Sequence, residues 1–302
     1  MPWVFTSRHR RCNQPERTTM ALEDSVMEPL SSDTPRSRLQ ERYREALADP
    51  AAWNDTLDLL LSHRSVRAYR PGPIPDGTIE LIVAAAQSAA SSSNLQPWSV
   101  VAVRDPARKA RLAALAGNQR HIVEAPLFLL WLVDLHRLEG IGHDRNVPTE
   151  GLEYFESFLL GAVDTSLAAQ NATVALESLG LGAVYIGGIR NHPAEVAAEL
   201  DLPSHAFALF GMAIGYPDPA RPASVKPRLP QAGVLSYETY NDHDRKPALA
   251  TYDERLRSFQ REQGLPERDW TEQATQRVRD AGALSGRHVL RDVLHKLGFG
   301  LK

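Results

Sequence analysis

The sequence predicts a globular protein that mixes helices with buried strands, and three features carry that reading. Hydrophobic residues make up 43% of the 302 positions, enough to fill a sizeable core in one large domain or two smaller ones. The most apolar run, Leu127 to Val133, falls far short of the roughly 18 residues that cross a bilayer, so it reads as a fully buried strand and no membrane partner is expected. Between Phe158 and Leu176 the only charge is Asp164, and the rest is dense in Gly, Ala and Ser, which requires a helix covered nearly all round. A second copy of the chain is a natural cover, so a homodimer is expected.

Residues 1 to 35 are rich in Arg, Ser, Thr, Pro and Glu without an apolar period, the composition of a disordered tail. Its Cys12 is the single cysteine, which excludes an intramolecular disulfide and cysteine-based zinc motifs and suits a reducing compartment. Arg8, Arg10 and Arg11 precede no apolar stretch, so no secretory or twin-arginine signal is expected and the cytoplasm is the default. Residues 36–52 suggest a mostly polar peripheral helix and a linker, and the globular pattern begins at Trp53. A short apolar helix over 56–62 leads into a basic turn. Pro71, Pro73 and Pro75 then bar regular structure, Asp76 is the expected N-cap, and Ile79, Leu81, Ile82, Ala85 and Ala86 form a helical face. The hydroxyls of Ser91 to Ser93 and the amide of Asn94 stop that helix.

Trp98 to Val103 is β-branched and apolar, hence a strand. The helix after it is punctuated by Asp105 as N-cap, Pro106 at the first position and Gly117 past the end. Asp134, His136, Glu139, His143 and Asp144 read as a solvated loop rather than a metal site, because no i, i+4 histidine pair supports ligation. Gly180 and Gly182 end the long helix and lead into a strand over 183–188; this helix-to-strand order is the reverse of a dinucleotide fingerprint. Gly187 and Gly188 close that strand, where bare backbone lets a flat ligand approach. A helix over 193–200, a strand over 206–216, a proline-rich loop and amphipathic helices around 252–263, 271–281 and 286–297 complete the chain.

The formal net charge of -3, from 34 basic and 37 acidic residues, gives no reason to expect nucleic acid. The basic residues are local. His63, Arg64, Arg67 and Arg70 crowd into one turn and repel one another unless solvent or an anion relieves them, and a guanidinium is well shaped for phosphate. Taken alone, the stretch reads equally well as a solvated basic turn. Lys226, Arg228 and Arg287 bring cations from two further segments, while Ser91, Ser92, Ser93 and Gln119 bring small polar groups. There is no Gly-x-Ser-x-Gly elbow, His-Glu-x-x-His motif or P-loop, so a bound cofactor must supply any chemistry.

Several segments, in this order, resemble the group A bacterial nitroreductases, oxygen-insensitive NADPH-dependent flavoenzymes that include the flavin reductases of luminous bacteria. They are His63-Arg64-Ser65-Val66-Arg67, residues 91–96, 117–121, 163–165, 169–172, 177–182, 184–188 and 226–230. The likeness runs from about Trp53 to the C-terminus. It implies an α+β, three-layer fold with a mostly antiparallel central sheet flanked by helices, in which residues 53–302 form an FMN-binding domain. It also implies a homodimer with two FMN sites at its interface. By position it puts His63, Ser65, Lys226 and Arg228 on the FMN phosphate, Arg64 and Val66 beside it through their backbone, and Arg67 at the N1 edge of the flavin. Ser91, Ser92 and Ser93 would reach in from the other subunit, and Gln119 would meet the polar edge of the ring. Tyr185, Ile186, Gly187 and Gly188 would line one face, with the Gly187 amide near N5. A guanidinium about 4 Å from the anionic reduced ring would stabilise it by about 4 kcal/mol at an effective dielectric near 20, before desolvation. Arg67 and Gly187 thus carry the tuning of the flavin, and no protein acid or base is implied.

Asn94 follows the serine run where the family often has an aromatic residue, and Leu284 stands where the family has a lysine. Arg268 is the basic residue kept in the stretch that selects the NADPH 2'-phosphate, and Arg287 matches one that lines the acceptor pocket. Ser93, Asn94, Arg268 and Arg287 are therefore the expected substrate-facing residues, with NADPH, or else NADH, as co-substrate. The implied activity is hydride transfer to FMN and on to nitroaromatics, quinones or similar small acceptors by a ping-pong scheme. A flavin reductase releasing reduced FMN, and a non-catalytic flavin-binding protein, are the competing readings.

Overall fold

The computed structural model describes residues 34–45, 47 and 50–302; the expected tail and Cys12 lie outside them, save Thr34 and Pro35. Thr34 to Lys302 form one compact unit. Thr34 caps α1 (Pro35–Tyr43) by accepting from the Ser37 amide, and Pro35 supplies a preset first-turn φ. Asn54 caps α2 (Asp55–Ser62) in the same way. The cap of α3 (Thr78–Gln87) differs from expectation: a turn closed by Thr78 N on Pro75 O puts Gly77, at φ 79°, in the cap position instead of Asp76.

β1 (Trp98–Val103) leads to α4 (Pro106–Leu115), whose Asp105 cap accepts from Arg108 N at 2.7 Å as the sequence predicts. After α5 (Arg120–Glu124) and β2 (Leu127–Asp134), the expected solvated loop is instead a helix, α6 (His136–Arg145). Asp134, read from sequence as part of the loop, accepts from the Arg137 amide at its start, and Asn146 closes it in the left-handed region at φ 54°. α7 (Phe155–Ser178), β3 (Gly182–Ile186), α8 (Pro193–Glu199) and β4 (Ala206–Gly215) follow, with a 3-10 turn over Gly187–Asn191. The chain then passes through the proline-rich loop to α9 (Arg245–Glu262), α10 (Trp270–Arg277) and α11 (Leu290–Lys296).

The four strands form one sheet in the order β1-β2-β4-β3, and every neighbouring pair is antiparallel. Alternate residues of β2 enter two cores. Phe128, Leu130 and Leu132 join Leu112, Ile122 and Val196 of α4, α5 and α8. Leu127, Leu129 and Trp131 join Ile82 of α3 and Ala168, Ala172 and Leu176 of α7. Burial on both faces is why β2 reads as a continuous apolar run rather than an alternating one. The result is the expected α+β arrangement, a sheet between two helical layers. α7 is only partly covered by its own chain: Phe155, Leu159, Val163 and Leu167, each four residues apart, are 43–52% exposed. No helix among the described residues is long and apolar enough to cross a membrane.

Candidate functional site

The basic turn has no regular structure of its own and is held by the sheet. Val66 N donates to Ala183 O at 2.9 Å, and the buried Val66 side chain covers Gly182, where a β-carbon would come within 2.5 Å of it. The Tyr69 hydroxyl reaches the carbonyls of Val66 (2.7 Å) and Ala213 (3.0 Å), and its burial pushes the phenol well above its ordinary pKa. Arg70 N donates to Tyr216 O and Asp218 N to Ala68 O, so the turn lies against the start of the loop that carries Lys226 and Arg228. Two segments far apart in sequence are thereby brought together.

The electrostatics of this junction are unbalanced. Arg67, Lys226 and Arg228 are exposed, and none has a side-chain hydrogen bond or ion pair with a described residue. Partial burial, then the charges of Arg67 and Arg228, hold the Lys226 ammonium below its usual pKa range. Burial and Arg67 do the same to the His121 imidazole, whose buried Nε2 has no partner among the described residues. The amides of Arg64 and Ser65, and the Ser65 hydroxyl, also have no acceptor among the described residues. His63 is anchored by Glu177, 2.6 Å from its Nδ1, which leaves Nε2 clear of that carboxylate. Arg70 is turned aside, its guanidinium 5.2 Å from the centre of the Tyr216 ring. Cations and amides without partners among the described residues, on two segments that meet, have the chemistry of a candidate anion site.

At the end of β3 the two glycines prove different. A β-carbon on Gly188 would stand 2.4 Å from Ala116 O and 2.5 Å from Gln119 Nε2, so packing alone demands glycine there. Gln119 is fixed by donating to Ala116 O at 2.8 Å, which brings it and Gly188 together. A β-carbon on Gly187 would meet only the ends of Arg190 at 3.4 Å and Arg287 at 3.7 Å. The protein has room for a side chain at Gly187. Ile186 is buried in the core and can offer only backbone, whereas Tyr185, 36% exposed, has its hydroxyl 3.0 Å from Thr173 Oγ1 and its ring edge-on to Phe210.

Arg287 reaches Gly187 because its Nε donates to Asn191 Oδ1 at 2.9 Å. Arg190 and Arg277 stand near it: burial, then Arg287 and Arg277, lower the Arg190 pKa, and burial, then Arg277, lower that of Arg287. Sequence reasoning found Arg287 alone. Arg190 could have been found from its place three residues after Gly187, but nothing local marks Arg277.

The serine run is tied to α7. Ser91 donates to Asp164 at 2.6 Å and accepts from Gln96 N at 2.8 Å, and Ser92 N also faces the Asp164 carboxylate. Asp164, 2% exposed, the one charge between Phe158 and Leu176, thus caps this loop. Ser91 has committed its proton and serves as a support. Ser92, Ser93 and Asn94 are exposed, with Ser93 and Asn94 in the left-handed region, and they make no hydrogen bond to the basic turn or the glycines of the same chain. Arg268 falls elsewhere: with Lys226, Arg228, Tyr43, Tyr252 and Trp270 it lines a cavity of about 900 Å³ that includes no residue of the basic turn or of 185–188. The two arginines among the four residues expected to face substrate therefore occupy separate places, Arg268 beside the Lys226 and Arg228 group and Arg287 beside Gly187.

Fold and site together define an α+β protein with a candidate anion site at the edge of an antiparallel sheet and a bare backbone stretch beside a second group of arginines. The chain belongs to the nitroreductase family: the Nitroreductase family profile matches residues 60–216, and the profile of the Nitroreductase family C-terminal domain matches residues 226–302. It is 36% identical over 251 residues to the FMN reductase (NADPH) of Bacillus subtilis, covering 82% of this chain and 98% of that one. It is 38% identical over 249 residues to the oxygen-insensitive NADPH nitroreductase of Salmonella typhimurium, covering 82% and 99%. The structure of the Vibrio harveyi NADPH:FMN oxidoreductase complexed with NAD+ matches with a TM-score of 0.74 at 34% identity, over 82% of this chain and all of that one.

Proposed function

We propose that the protein is an FMN-dependent oxidoreductase that takes hydride from NADPH and passes it to a small acceptor such as a nitroaromatic or a quinone. The observation that carries this reading is the trio of cations without a partner among the described residues, Arg67, Lys226 and Arg228, on two segments that meet, one of which also carries the acceptor-free amides of Arg64 and Ser65. A phosphate-bearing cofactor fits these residues. When bound, FMN supplies the redox chemistry, accepting hydride from the nicotinamide and giving it to the acceptor.

Lys226, Arg228, the Ser65 hydroxyl and the Arg64 amide hold the phosphate, and Glu177 orients His63 toward it. Arg67 contributes a fixed positive charge on the ring side, which favours the electron-rich form of the cofactor. Val66, Ile186 and Gly188 shape the site through backbone, and Gly187, free of any packing need, leaves the ring an open approach. Arg287, beside Gly187, faces substrate at the ring, Ser93 and Asn94 do so across the subunit contact, and Arg268, in the cavity beside Lys226 and Arg228, meets the 2'-phosphate end of NADPH. The exposed stripe of α7, Phe155, Leu159, Val163 and Leu167, is the surface through which two copies associate, and that association brings Ser92 and Ser93 to the partner's cofactor. A cytoplasmic location goes with a reaction fed by NADPH.

The test is anaerobic. Purified protein should be yellow and should bleach on adding NADPH, then recover its colour on adding a nitroaromatic or a benzoquinone. Colourless protein that gains no flavin spectrum with added FMN would overturn the reading. The relative named FMN reductase (NADPH) favours a second one, in which free flavin is the acceptor. Turnover with added FMN that exceeds turnover with nitrofurazone and benzoquinone would select it.

A further inference from the structure

α1 precedes residue 60, where the family match begins, and by sequence it is an ordinary polar helix. Its fastenings are mostly at the surface. Arg38 bonds Asp58 of α2 at 2.9 Å, Arg44 bonds Glu262 of α9 at 2.7 Å, and Arg255 of α9 donates to Tyr43 O at 2.7 Å. Arg42 is turned inward, 5% exposed, and all of its side-chain hydrogen bonds go to main-chain carbonyls. Nε and Nη2 donate to Leu61 O, Nη2 also donates to His63 O at 2.6 Å, and Nη1 donates to Lys226 O at 2.9 Å. The Arg42 carbonyl in turn accepts from Arg228 N at 3.0 Å. One residue thus joins the basic turn to the Lys226-Pro227-Arg228 loop.

We propose that Arg42 is a positioning residue for the cofactor phosphate, setting the spacing and orientation of the two segments that grip it. The inference rests on the FMN reading given above. Two physical facts support it. A trans peptide is planar, with its carbonyl and the following amide pointing in opposite directions. Drawing the His63 carbonyl onto Arg42 therefore turns the Arg64 amide, which has no acceptor among the described residues, away from Arg42. Secondly, a buried guanidinium close to Arg228 is costly when no carboxylate bonds it, and an apolar residue would fill a purely structural role better. The rigid fork of Arg explains its presence, because it reaches carbonyls of both segments at once.

The experiment titrates full-length apoprotein with FMN and, in parallel, with riboflavin, which has the same ring and no phosphate, following flavin fluorescence. Wild type, Arg42→Met and Arg42→Lys are compared, with a thermal melt of each apoprotein. Arg42→Met is expected to raise the FMN Kd by at least about tenfold and the riboflavin Kd by less than about threefold. Arg42→Lys keeps the charge without the fork and should retain most of the loss; it also serves as the working variant if Arg42→Met fails to fold. Equal weakening toward both flavins, or wild-type FMN affinity in Arg42→Lys, would overturn the inference. Wild-type protein that binds FMN no better than riboflavin would instead overturn the phosphate site on which it rests.

Discussion

Replacing Arg228 by Ala should move two observables in opposite directions. Its guanidinium pairs with no described residue, while its charge bears on Lys226 and on the buried Arg42, lowering the pKa of both. Removing it relieves like-charge repulsion, worth roughly 0.2–1 kcal/mol for an exposed pair. The backbone bond from residue 228 to Arg42 O does not depend on the side chain and survives the change. The apoprotein should therefore melt at the same temperature or up to about 4 °C higher. The same substitution deletes a charge-assisted bond to phosphate, about 1.5–3 kcal/mol, which is roughly 10- to 150-fold in the FMN Kd. Calorimetry of the apoprotein and fluorescence titration with FMN read the two effects separately. Added salt should weaken FMN binding more steeply in wild type than in the variant. An apoprotein that loses stability while keeping its FMN affinity would refute the reasoning, because Arg228 would then be a structural residue and not a phosphate ligand.

Lys226 should give the site an alkaline limit. Its folded pKa lies below that of the unfolded chain, so the unfolded state binds more protons in that window and apoprotein stability rises with pH there, while FMN affinity falls as the ammonium is lost. Lys226→Arg should flatten the affinity profile; a wild-type Kd that stays constant from neutral to strongly alkaline pH would remove Lys226 from the site. The glycines should separate cleanly: Gly188→Ala forces a β-carbon onto Ala116 O and should cost about 1–3 kcal/mol of stability. Gly187→Ala should melt within about 2 °C of wild type yet bind flavin more weakly, and equal destabilisation by the two would contradict the distinction. Leu159→Asp combined with Leu167→Asp places charge on the exposed stripe of α7 and should yield a monomer with reduced FMN retention. A dimeric mass by light scattering would place the subunit contact elsewhere.

Much of the fold was legible because its signals are local. The Asp105 cap, the apolar run of β2 and the bare end of β3 each follow from a few neighbouring residues. α6 is hidden from a local reading because Asp134, His136 and Glu139 suit a solvated loop as well as a helix, whereas in the fold Asp134 and Asn146 mark the two ends of a helix. Asp164 was noticed as an isolated charge, but its partner is a loop more than seventy positions away, and no local pattern points there. Arg277 was invisible for the same reason.

The sequence by itself determined the strands and helices, the segments that carry cations and the family resemblance, since periodicity, caps and short motifs are properties of adjacent residues. Only the tertiary structure decided which groups within those segments are free to act. It spent the Ser91 proton on Asp164, turned Arg70 onto Tyr216, and left Arg67, Lys226 and Arg228 without partners among the described residues. It also drew Arg42, from a helix that reads as peripheral, into the gap between two distant loops. A side chain's availability depends on what lies across from it in space, and that is set by packing rather than by sequence neighbours.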